Sequence, residues 1–122
     1  MTLADILSRL FRPRQSAAFD RAVTRLRARE QPSAPLSRAA VVAALRAIAA
    51  KKPGTREELT DLEAEAFVLG ERIQGSRVCD DLPHVVWHFL SDADIRFKDE
   101  QYREMQVRQL DEAITAWEQH GV

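Results

Sequence analysis

His84, His88 and Asp92 recur at intervals of four residues, so one unbroken helix would line two imidazoles and a carboxylate along a single stripe. These groups are legitimate ligands for zinc or a similar transition metal. Asp80 or Asp81, just upstream, could add a carboxylate. The helical metalloprotease motif also needs a glutamate next to its first histidine, and here that position is Val85. No other segment supplies an obvious fourth ligand. The simpler reading makes both histidines surface or half-buried groups and the aspartates helix caps, with no resident cofactor.

Glu58 and Asp61 form an E-x-x-D pair within Glu57-Glu58-Leu59-Thr60-Asp61-Leu62. That spacing resembles half of the magnesium site of helical nucleotide pyrophosphatases. The other half, an E-x-x-E pair on an earlier helix, is missing, because Glu30 is the only glutamate before residue 57. A metal held by so few oxygens would be poorly coordinated, so capping and a solvated acidic face explain these residues better. Cys79 has no C-x-x-C partner, and the adjacent Asp80 and Asp81 raise a thiol pKa and quieten the nucleophile. Serine elbows and glycine-rich phosphate loops are absent. The expectation is a protein that is not an enzyme.

Charge is distributed unevenly along the chain. Residues 1–56 carry 12 Lys/Arg against three acids, a balance of +9, whereas residues 57–122 carry six against 16, a balance of −10. Arg21, Arg25 and Arg29 repeat every four residues and make a candidate phosphate-binding face for nucleic acid. Three features weigh against that use. The whole chain has a net charge of −1, aromatic residues do not interleave the arginines after Phe19, and no helix-turn-helix signature is present. The acidic half offers a second candidate surface, Glu57, Asp61, Glu65, Asp92 and Asp94, suited to steering toward a basic protein. Opposite charges in two halves would also let two copies pair as a homodimer.

The elements that must position these groups are helices. A capping box at Thr2 and Asp5 opens a segment to about Arg12, with Leu3, Ile6, Leu7, Leu10 and Phe11 at helical period and Pro13 at its end. It is too short and lacks the tryptophan anchor of a membrane-surface helix, so docking on protein is favoured. A second segment from Ser16 buries Phe19, Ala22, Val23 and Leu26, and the loop Gln31-Pro32-Ser33-Ala34-Pro35 follows it. Ser37 caps a third, with Leu36 and Val41 placed as a hydrophobic staple, and Lys51-Lys52-Pro53-Gly54 stops it. Thr55 and Glu58 make a capping box for a fourth, whose seam is Leu59, Leu62, Ala66, Leu69 and Ile73. The fifth begins with Pro83 in its first turn and is apolar around most of its circumference. Ser91 and Asp94 suggest another capping box and a short helix over 92–97. The last helix, about 99–120, presents Tyr102, Met105, Leu110, Ala113, Ile114 and Trp117.

These segments predict an all-α fold, a single domain over 1–122 built as a compact bundle of five or six helices, mostly antiparallel neighbours. Six of the eight aromatics follow residue 66, so the heavier core is expected in the C-terminal half, with the Ala/Arg-rich N-terminal half less tightly anchored. One cysteine excludes an internal disulfide and suits a reducing compartment. The acid at Asp5 does not suit a signal peptide, and no apolar run reaches the roughly 20 residues of a transmembrane helix. A cytoplasmic protein is expected, and its alanine and arginine content suits a GC-rich bacterial gene. By analogy of size and class, the expected role is to bind another protein, as inhibitors, immunity proteins, antitoxins and adaptors do.

Overall fold

The structure, a computed structural model, describes residues 16–29 and 36–120. The helix expected before Pro13 and the loop at 31–35 lie outside these residues. The described chain folds as an all-α bundle. Its elements are α1 (Ala17–Arg29), α2 (Arg38–Ala50), α3 (Arg56–Gln74), a 3-10 turn (Arg77–Asp81), α4 (His84–Ser91), α5 (Ala93–Lys98) and α6 (Glu100–His120).

Local chemistry sets the helix starts. Ser37 stands in extended conformation before α2, and its hydroxyl accepts from the Ala40 amide. Thr55 does the same for the Glu58 amide, with Glu57 and Glu58 placed at the positive end of the α3 dipole. Asp99 caps α6 by accepting from the Tyr102 amide. Two start signals differ from the sequence reading. Pro83 is the residue before α4 rather than part of its first turn. The Ser91–Asp94 capping box does not form, because Ser91 is the last residue of α4 and its hydroxyl donates to the His88 carbonyl and to Asp92 Oδ1. Asp92 alone separates α4 from α5, and its carboxylate makes no cap bond.

The main core joins α2, α3, α4 and α6. Val41, Leu45 and Ile48 of α2 meet Leu62, Leu69 and Ile73 of α3, Val86, Trp87, Phe89 and Leu90 of α4, and Leu110, Ile114 and Trp117 of α6. The α3 seam read from sequence is buried throughout. On α6 the buried stripe differs from expectation: Met105 is exposed, Tyr102 is only half-buried, and the polar Gln106 occupies the core position instead. A second, smaller cluster fastens α1 to α3 through Phe19, Ala22, Val23, Ala64 and Val68, with Phe67 edge-on to Phe19.

Ties between α2 and α6 show the direction of packing. Arg38 at the start of α2 donates to the Trp117 carbonyl late in α6, whereas Arg103 early in α6 donates to the Ala49 carbonyl late in α2. Arg46 sits between them, beside Asp111, Thr115 and Glu118. The two helices are therefore antiparallel, and α2 lies between α6 on one side and α3 on the other.

Candidate functional site

Because α2 is basic and both of its neighbours are acidic, the charge separation along the chain does not persist in space among the described residues. Arg25 lies 3.5 Å from Asp61, Arg27 grips Glu71 at 2.7 Å, and Lys52 reaches Glu100 at 3.0 Å. Arg38 pairs with Asp81, Arg46 with Asp111 and Glu118, and Lys51 with Glu65. Each of these pairs joins a cation before residue 57 to an acid after it. Two oppositely charged ends were expected, and the fold instead interleaves the two halves.

This arrangement splits the five acids expected on one face, keeping Glu57, Asp61 and Glu65 at four-residue spacing on α3 and separating Asp92 and Asp94 from them. Asp61 and Glu65 sit one helical turn apart on α3, where they line a mixed-charge recess with Lys51 and Lys52. Glu57 is exposed at the start of α3, and Asp94 is half-buried in α5. Asp92 is only 3% exposed and belongs to no surface. Among the arginines proposed to contact phosphate, all three are exposed; Arg25 is engaged with Asp61, whereas Arg21 and Arg29 make no ion pair among the described residues.

The histidine stripe is not assembled either. His84 is exposed and His88 half-buried on α4, but the helix ends at Ser91 and Asp92 turns into the protein. Among the described residues, no three His, Cys, Asp or Glu side chains gather in a way that could hold a metal ion. Cys79 is half-buried in the 3-10 turn; burial raises its thiol pKa, and the neighbouring Asp80 adds to the effect.

Asp92 instead anchors a buried polar network that sequence reading missed. Its Oδ2 accepts from the Tyr102 hydroxyl at 2.7 Å and from Gln106 Nε2 at 3.0 Å. The Oε1 of Gln106 accepts from Arg96 Nη1 at 2.6 Å, and the same guanidinium donates to the Phe89 carbonyl and stacks 3.9 Å from the Phe89 ring centroid. Arg96 is 7% exposed, and burial pulls its pKa down to about 10, partly offset by the charge of Asp92. The Arg96 Nη2 atom has no hydrogen-bond partner among the described residues. A neutral amide thus relays between a buried cation and a buried anion, fixing the bend between α4 and α5 against α6. Nothing in the string Asp94-Ile95-Arg96-Phe97 separates Arg96 from a surface arginine, because its partners lie seven and ten residues away across a bend.

Among the described residues, the surface feature best shaped for recognition is a groove. Helices α1 and α2 both pack on α3 and barely touch each other. Between them lies an open furrow of about 420 Å³. Leu26, Ala44, Ala47, Ile48, Val68 and Leu69 supply its apolar lining, and Arg29, Lys51, Glu65 and Arg72 contribute charge. Ala47 is exposed, and Leu26 and Ala44 are half-buried, so the apolar wall is reachable from solvent.

No protein-family model, no curated protein and no solved structure matches this sequence.

Proposed function

We propose that this protein acts without catalysis, by binding another protein through the groove between α1 and α2. The supporting observation is the furrow itself, an apolar strip bordered by charged side chains, which is the usual anatomy of a recognition surface. Small side chains at Ala44 and Ala47 leave room for a partner's larger ones, and rigid helices position both walls. The half-buried, quietened thiol of Cys79 suits work in a reducing compartment such as the cytoplasm. No helix among the described residues is long and apolar enough to cross a membrane.

The acidic-face version of this reading is weaker, because Asp61 and Glu65 already face cations of the same molecule and Asp92 is buried. Nucleic-acid binding has Arg21 and Arg29 in its favour, but Asp61 and Glu71 lie against the intervening Arg25 and Arg27.

The deciding variant is Ala47→Trp, which fills the furrow from an exposed helical position. Tagged wild-type protein and the variant, purified in parallel from the source cell, are compared by light scattering after size-exclusion chromatography. A stoichiometric protein companion that the wild type retains and the variant loses, at equal helicity and thermal midpoint, supports the reading. A companion that both retain overturns the groove as the site.

A further inference from the structure

We infer that α1 is an exchangeable arm: two copies of this chain trade it, each laying its α1 on the α3 face of the other. The inference does not depend on the groove reading. Its first support is the separation of the two apolar clusters. No residue of α1 belongs to the main core, whose buried members run from Val41 to Trp117. Phe19, Ala22 and Val23 close instead on Ala64 and Val68 of α3, with Phe67 edge-on to Phe19. Among the described residues α1 packs extensively on α3 and makes no more than glancing contact with any other element. It can therefore leave as a unit without opening the cluster that joins α2, α3, α4 and α6. Left bare, α3 would expose Ala64 and Val68, both buried in the closed form, so a helix is needed to cover them.

The bound arm itself displays the chemistry that fits this face. Phe19, Ala22, Val23 and Leu26 form its apolar stripe, Arg25 faces Asp61 at 3.5 Å, and Arg27 meets Glu71 at 2.7 Å. The two carboxylates fix the register of the arm on α3. A second copy presents the same groups in the same order, so exchange reproduces these contacts between molecules and sacrifices none of them. By sequence, eight residues link Arg29 to Arg38, Pro32 and Pro35 among them. Stretched out, such a link covers about 25 Å, and proline favours extended backbone, which suits a crossing between copies. Tethering opposes exchange. A short link holds α1 near its own α3 at an effective concentration on the order of 1 mM, so the monomer prevails in dilute solution. Exchanged pairs form when chains refold together near that concentration. In such a pair, Leu26 and Arg29 of each furrow come from one copy, and Ala44, Lys51 and Val68 from the other.

The test uses the full chain with a photo-reactive benzoylphenylalanine at position 26, where Leu26 packs against the α1–α3 cluster. A probe at the exposed Arg29 repeats the measurement should the first disturb packing. Unlabelled and heavy-nitrogen copies are mixed equally in urea, refolded together at about 1 mM, and separated by size-exclusion chromatography with light scattering. The fractions are then irradiated and digested for mass spectrometry. A dimer is expected beside the monomer, with about half of its α1–α3 crosslinks joining a light peptide to a heavy one, whereas crosslinks in the monomer join like isotopes only. A second measurement uses charge. Arg25→Glu/Arg27→Glu and Asp61→Lys/Glu71→Lys each place like charges face to face within a molecule, but the two variants match one another across an exchanged pair. Refolded together, they are expected to give several-fold more dimer than either alone. Recovery of monomer only, dimers whose crosslinks all join like isotopes, or a charge-reversed mixture that dimerises no more than its components would each overturn the exchange.

Discussion

Removing the Asp92 side chain would delete the carboxylate oxygen that accepts from both the Tyr102 hydroxyl and the Gln106 amide, and would deprive Arg96 of its compensating charge. Asp92→Ala is therefore expected to cost about 3 kcal/mol in urea denaturation, in the range for breaking a buried charged network. Tyr102→Phe should cost about 1 kcal/mol, and the double variant less than the sum, because both changes act on the same oxygen. A loss below about 1 kcal/mol for Asp92→Ala would mean that the network contributes little. Cys79 gives a second residue-level expectation. Its raised pKa leaves less thiolate at a given pH, so alkylation by iodoacetamide near pH 8 should be slower than for a free cysteine. Asp80→Asn should recover only the smaller part of that rate, since burial is the larger cause. Sequence alone conveyed part of this chemistry. That Asp80 would quieten Cys79 was readable from adjacency, whereas the paths from Asp92 to Tyr102 and Gln106 cross from one helix to another and leave no periodic trace.

Among the elements, α1 stands apart because a satellite cluster holds it against α3. Few of its side chains join the main core, so α1 should open at lower free energy than α4, whose Val86 and Phe89 are fully enclosed. Native-state hydrogen exchange should show α1 amides exchanging by a sub-global route. Phe19→Ala should speed that route while the slowest α4 amides shift much less. Exchange of α1 and α4 at a common free energy would contradict this. The elements themselves were largely legible: Ser37 and Thr55 announce α2 and α3, and the three-four spacing from Leu59 to Ile73 gives the buried seam. Misreadings occurred where two patterns compete. Ser91 and Asp94 have capping-box spacing, yet the Ser91 hydroxyl is taken by His88 and Asp92, and the Tyr102–Met105 stripe gave way to Gln106 once Arg96 needed an acceptor.

At the scale of the whole molecule, the basic α2 lies between acidic partners, and the sign of each helix was readable while its neighbour was not. The resulting ion pairs are mostly solvent-exposed, so each contributes about 0–1 kcal/mol. Raising salt from low to molar concentration should therefore lower the unfolding free energy by only about 1–2 kcal/mol in total. A larger loss would show that the pairs act as a cooperative lattice. The interleaving also bears on the order of synthesis. Residues 1–56 leave the ribosome before residues 57–122, with a balance of +9, and Val41, Leu45 and Ile48 gain their apolar neighbours only when α3, α4 and α6 follow. Until then this stretch carries its positive balance beside ribosomal RNA with most of its acidic partners still to be made. A product halted near residue 56 would be expected to cling to polyanions, and synthesis of the second half is what releases the first.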